Sequence, residues 1–194
     1  MKRSFIRKSI LAMTLALGAA TLPGCLPVMA TGAGVGVLMA EDRRTPGTYL
    51  LDEEIEMKAA SALRDAHLGG VHINATSYNR RVLLTGEIPN EESREKITGL
   101  IKDLPNVKHV LNEAVVGGVS TLLGRTNDFY ITTKVKGRLL DDKRFNGNHV
   151  KVVTEASSVF LMGILKRQEA AAIAEVASKT SGVGRVIKAF EYLD

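Results

Sequence analysis

The sequence predicts an α+β protein made of two tandem copies of one small domain. Each copy reads α-β-β-α-β, with two helices packed on a three-stranded mixed sheet. Three observations carry this. The 194-residue chain repeats itself: Ile55 and Leu63 recur as Ile131 and Leu139, 76 residues on. Val82-Leu83-Leu84-Thr85-Gly86 recurs as Val159-Phe160-Leu161-Met162-Gly163 at 77, and Val107-Lys108-His109-Val110 as Val183-Gly184-Arg185-Val186 at 76 again. Within each copy the apolar spacing alternates between helical and strand-like periods. The composition, 45% hydrophobic and 24% charged, is that of a globular chain.

In chain order, residues 1–24 hold Lys2, Arg3, Arg7 and Lys8 and no acid, followed by an apolar stretch over 10–20. This is the layout of a secretory signal. It ends in Leu22-Pro23-Gly24-Cys25, which resembles the bacterial lipoprotein signal, with cleavage before a cysteine that carries the lipid. Leu22, Gly24 and Cys25 match that pattern, and Pro23 stands where a small residue is usual. Two other readings stay open. One is ordinary cleavage after Val28-Met29-Ala30, leaving a soluble periplasmic protein. The other is an uncleaved anchor, disfavoured by Pro23, Pro27 and the glycines at 32, 34 and 36. Under the lipoprotein reading Cys25 is the lipidation site. The residue after it is Leu26, not Asp, which under the lipoprotein sorting rule points to the outer membrane. Residues 25–51 are then a tether. Gly32-Ala33-Gly34-Val35-Gly36 lacks the third glycine and the strand-to-helix context of a dinucleotide loop.

The first domain is expected over 52–118. Ile55, Ala59, Ala62, Leu63 and Ala66 share one helical face. Val71-His72-Ile73 and residues 81–84 form a hairpin joined near Tyr78-Asn79. Asn90 caps a second helix whose first turn carries Glu91 and Glu92, as the helix dipole favours. Residues 107–116 give the last strand. The second domain, over 127–194, follows the same order. Its first helix shows Ile131, Val135 and Leu139, and its hairpin runs through residues 150–153 and 158–162. An alanine-rich helix starts near Gln168, and a final strand covers 183–190. Gly86 and Gly163 end equivalent strands, where a positive φ or a closely packed helix excludes a Cβ. Residues 119–126 are the linker.

These repeated segments resemble BON domains, carried by residues 82–86, residues 159–163 and the following Val-x-x-Val pairs. The whole chain is similar to two-domain BON lipoproteins of the outer membrane, above all over residues 127–135, 159–163 and 177–183. The resemblance implies a non-enzymatic protein that binds anionic phospholipid, supports envelope integrity and gathers at division sites. It also implies that the first helix of the second domain faces the lipid. The residues so implicated are Phe129, Tyr130, Thr133, Lys134, Gly137 and Arg138. The family usually has Trp where this chain has Tyr130.

Charge gives an independent check. The net charge of +5 belongs mostly to the first 24 residues, which carry +4. The first domain has 8 basic and 11 acidic residues, the second 11 basic and 8 acidic. Only the second suits anionic headgroups. Its first helix carries Lys134, Lys136 and Arg138 with no acid from 129 to 140, where the first domain's helix carries Glu53, Glu54 and Glu56. The plain alternative is a solvated helix face with Tyr130 packed on protein. A further alternative is a protein-interaction module that docks on an envelope protein through the acidic first domain. Enzymatic readings find little support. His67, His72, His109 and His149 lack metal-ligand spacing, no G-x-S-x-G elbow occurs, and the one cysteine lies in the signal region. Neither a metal nor a cofactor is expected. The near-neutral mature chain and its export signal argue against nucleic acid.

Overall fold

The structure, a computed structural model, describes residues 42–118 and 121–194. The signal segment, Cys25 and the expected tether up to residue 41 lie outside the described residues. Helix α1 (Pro46–Asp65) opens the first domain. Strands β1 (His72–Tyr78) and β2 (Arg81–Ile88), helix α2 (Glu91–Lys102) and strands β3 (His109–Asn112) and β4 (Val115–Val116) complete it. The second domain repeats the order with α3 (Leu122–Asp141), β5 (Val150–Glu155), β6 (Ser158–Leu165), α4 (Arg167–Ser178) and β7 (Arg185–Tyr192). Each sheet is mixed. β2 pairs antiparallel with β1 and parallel with β3, and β6 pairs antiparallel with β5 and parallel with β7. The parallel pairs are joined through α2 and α4, as parallel neighbours require a crossover.

Both first helices begin earlier than the apolar pattern suggested. Thr45 accepts a hydrogen bond from the Thr48 amide at 3.1 Å, and Pro46 follows at the first helical position. The last residues of the expected tether are therefore helix. Thr121 likewise caps α3 by accepting from the Gly124 amide at 3.2 Å, so the linker ends at residue 121 and not at 126. The last strand of the first domain is also shorter than expected. Asn112 Oδ1 accepts from the Ala114 amide at 3.1 Å and turns the chain, splitting the strand into β3 and β4.

A repeated device sets both hairpins. Asn79 and Arg80, and likewise Ala156 and Ser157, all have positive φ, the conformation of a tight two-residue hairpin turn. Ala, Ser and Arg are poor at positive φ, so the turn needs support. A buried aspartate from the preceding helix supplies it. Asp52 accepts from the Asn79 and Arg80 amides at 2.8 and 2.7 Å and from the Ser77 hydroxyl at 2.7 Å. Asp128 accepts from the Ala156 and Ser157 amides at 2.9 and 2.8 Å. The offset of 76 that relates Ile55 to Ile131 also relates these two aspartates.

Gly86 and Gly163 sit on β2 and β6 opposite the start of the neighbouring strand. A Cβ on Gly86 would lie 2.0 Å from the His72 carbonyl oxygen, and its φ is +121°. A Cβ on Gly163 would lie 2.7 Å from the His149 carbonyl oxygen. The close neighbour is thus backbone in both cases, β1 at Gly86 and the 3-10 turn Gly147–His149 that leads into β5 at Gly163.

Three apolar cores result. Ile55, Ala59, Val82, Leu84, Ile97 and Ile101 fill the first domain between helices and sheet. Ile131, Val135, Leu139, Val159, Leu161 and Ile173 do so in the second. The third core joins the sheets themselves: Tyr78 and Leu83 pack with Phe160 and Met162. β2 and β6 are therefore buried on both faces, which accounts for their unbroken apolar runs. Polar contacts close the edges of this junction. Lys151 Nζ pairs with Glu56 Oε1 at 2.6 Å, and Asn79 Nδ2 donates to Glu191 Oε1 at 2.9 Å. Arg43, just ahead of α1, reaches Glu169 with two hydrogen bonds of 2.8 and 2.7 Å and the Ile164 carbonyl at 2.8 Å. Burial beside a second acid, Asp42, pushes the Tyr78 hydroxyl up to about 12.

Candidate membrane-facing site

Helix α3 seats Ile131, Val135 and Leu139 in the second core and turns the opposite face outward. At 100° per residue, positions 126, 133 and 137 run down the middle of that outer face. Phe129, Lys136 and Leu140 lie on one flank, Leu123, Tyr130 and Lys134 on the other. Phe129 is 75% exposed and Tyr130 60% exposed, values high for aromatic residues. Leu123 and Leu140 are exposed as well. The alternative in which Tyr130 packs against protein does not describe this structure.

The basic residues do two jobs. Lys134 Nζ lies 4.5 Å from the centroid of the Tyr130 ring, a cation–π contact that holds the aromatic and the charge together. The same ammonium donates to the Ser181 carbonyl at 2.6 Å and to its hydroxyl at 2.9 Å. Arg138 donates to the Lys179 carbonyl at 2.6 Å and faces the Thr180 hydroxyl at 3.4 Å. These carbonyls follow the C-terminus of α4, where positive charge is favoured. Gly182, with φ +94°, lets this loop come within reach of Ile131 and Lys134. Lys134 and Arg138 thus brace α3 on its own domain while their charge remains at the surface. Sequence spacing showed the charge but not the brace, because loop and helix are more than 40 residues apart.

Lys136 is exposed with no ion-pair partner among the described residues. Thr133 is exposed and returns its hydroxyl to the Phe129 carbonyl at 3.0 Å. Gly137 has open space where a Cβ would be. A mid-helix glycine costs up to about 1 kcal/mol relative to alanine, and nothing inside the domain requires this one. The acids beyond the helix end are committed to cations. Asp142 lies below the usual carboxylate range through hydrogen bonds from Arg144. Lys179, then Arg144, hold Glu175 down to about 2.

The equivalent face of α1 is different. Glu53 and Glu54 stand where α3 has Phe129 and Tyr130, and Glu54 pairs with Lys58 at 2.6 Å. Leu50 and Met57, 62% and 67% exposed, occupy its centre. Glu56 points inward to Lys151 and the Ser77 amide, so it is no part of an outer acidic surface. Among the described residues no helix is long and apolar enough to cross a membrane.

Two tandem α-β-β-α-β units, each with two helices on a mixed sheet, define the class of protein to which this chain is similar. The BON domain profile matches residues 51–118 and 127–194. The chain is 39% identical over 185 residues to the outer membrane lipoprotein DolP of Haemophilus influenzae, across 94% of this chain and 96% of that one. It is 36% identical over 154 residues to a 21 kDa hemolysin of Actinobacillus pleuropneumoniae, across 78% and 79% of the two chains. Osmotically-inducible protein Y of Escherichia coli is 26% identical over 192 residues, across 96% of each. The chain belongs to the BON-domain family, as a two-domain lipoprotein of the outer membrane.

Proposed function

We propose that the protein is a non-enzymatic lipoprotein, anchored through Cys25 on the periplasmic face of the outer membrane, that binds anionic phospholipid through the outer face of α3. Phe129, Tyr130, Thr133, Lys134, Gly137 and Arg138 make the contact, and envelope integrity, including at division sites, is the role that follows. The observation that carries this reading is the pairing on one exposed helix face of two solvated aromatics with basic groups. An aromatic ring with a polar tip suits the headgroup boundary. Each basic group near an anionic surface contributes about 1 kcal/mol, reduced by salt. Gly137 lets the surface approach the helix backbone. With an acyl chain at Cys25 as the first attachment, weak contacts by α3 become effective through high local concentration.

The deciding experiment is an NMR titration of the chain without residues 1–25, using phosphatidylglycerol micelles. Shifts concentrated on 122–141 are expected. Their absence, or their confinement to the first domain, overturns the reading. A second reading, docking on an envelope protein, is favoured by exposed Leu50 and Met57 beside Glu53 on α1. In-cell crosslinking from position 57 that recovers one stoichiometric protein would support it.

A further inference from the structure

We propose that His72, Glu87 and Glu155 form a divalent-cation site, of the kind zinc occupies, across the seam between the two domains. His72 and Glu87 are cross-strand partners on β1 and β2 of the first domain. Glu155 is the last residue of β5 in the second. One ligand atom from each lies within 4.8 Å of the others. Around a tetrahedral zinc with bonds of about 2.0–2.1 Å, neighbouring ligand atoms stand about 3.3 Å apart. His72 Nδ1 and Glu87 Oε2, at 3.1 Å, already have that spacing. A side-chain rotation of Glu155 closes the rest.

The surroundings favour a cation. Two carboxylates from different domains face one another here, and Asp128 adds a third negative charge to the field at Glu155. His72 and Asn74 reach the two carboxylates, and neither carries a fixed positive charge. Asn74 Nδ2 donates to Glu155 Oε2 at 3.3 Å, an arrangement that orients a ligand from outside the coordination sphere. His72 and Glu155 line a cavity of about 500 Å³ together with Asp128, Phe129 and Thr132, which gives an ion and its water a way in. Thr85, one cross-strand pair further along the same sheet face, has a buried hydroxyl with no partner among the described residues. Three protein ligands of N and O type leave a fourth position for water, the composition of an exchangeable site rather than a closed structural one. Zinc at His72 Nδ1 takes the place of the hydrogen bond to Glu87, with the ring hydrogen carried on Nε2. The bound ion joins β1 and β2 to β5 and staples the domains at the end of the junction nearest α3.

The test is calorimetric titration of the full chain, purified in detergent, with zinc chloride. One saturable site per chain is expected, with a melting temperature that rises with zinc and falls back with EDTA. His72→Gln and Glu155→Gln should each weaken binding at least tenfold, while His109→Gln, at the exposed first position of β3, should leave it unchanged. If His72→Gln does not fold, Glu155→Gln, at a partly exposed position, decides. Absence of saturable binding, or binding that survives both changes, overturns the site. Arg125 lines the same cavity. Zinc binding that appears only after Arg125→Gln would show that a guanidinium answers the carboxylates instead, and would also overturn it.

Discussion

The two domains have one fold and opposite surfaces. Their cores correspond at the 76-residue offset: Ile55 to Ile131, Ala59 to Val135, and the partly buried Leu63 to the buried Leu139. Their outer helix faces share almost nothing. Glu53 and Glu54 of α1 stand where α3 has Phe129 and Tyr130, and an ion pair of Glu54 with Lys58 stands where Lys134 lies over the Tyr130 ring. Duplication preserved what packing dictates and left free what only a partner can dictate. A difference confined to the solvent side of otherwise equivalent helices therefore speaks of function rather than stability.

The comparison can be broken at its conserved level first. Asp52 serves two turn amides, the Ser77 hydroxyl and the buried Arg44 guanidinium, 2.8 Å away. Asp128 serves two amides. Asp52→Ala, which removes one of the two carboxylates on buried Arg44 as well as the acceptor of two amides and a hydroxyl, should cost about 3 kcal/mol, and Asp128→Ala about 2 kcal/mol. Urea denaturation measures both, and equal losses would show that the two turns depend equally on their aspartates. Gly86→Ala should cost about 3 kcal/mol, through a Cβ driven onto a carbonyl and a positive φ. Gly163→Ala, without the positive φ, should cost about half of that in the same assay.

The divergent level is probed by making α3 resemble α1. Phe129→Glu with Tyr130→Glu should leave stability within about 0.5 kcal/mol. It should weaken association with phosphatidylglycerol vesicles at least tenfold, as read by flotation. Retained binding would move the lipid contact away from α3. The smallest effect concerns the strap between the domains. Arg43, hydrogen-bonded to Glu169, holds that carboxyl down to about 2, from an ordinary 4.5. A carboxylate depressed by folding adds stability at pH values above 4.5, and the gain is lost as pH falls from 4.5 toward 2. Glu169→Gln should therefore cost about 1 kcal/mol at pH 7. The gap between the two melting curves should close over that acid window.

The repeat, the order of elements and the buried stripes were legible because each rests on local periodicity. The unbroken apolar runs 82–84 and 159–162 carried a further signal, since strands buried on both faces lose their alternation. That signal told of a second covering layer but not that the layer was the sister sheet. Helix starts were misplaced because a Thr cap followed by proline or leucine acts before the apolar stripe begins. The aspartates under the hairpin turns were visible in principle at the 76-residue offset, but nothing local distinguishes a buried acid from a solvated one. The exposed aromatics of α3 were legible. The second task of Lys134 and Arg138 was not, because its partners sit at 179–181. The histidine and glutamates of the seam come from three strands in two domains, so no spacing rule could gather them.

The third core, where Leu83 meets Phe160 and Met162, also bears on descent. An ancestral single domain must have kept the far face of its sheet presentable to water. Once two copies spent that face on each other, neither could be deleted, shuffled or inherited alone without exposing bulky apolar side chains. The duplication then became hard to reverse, and the pair, not the domain, became what selection could act on.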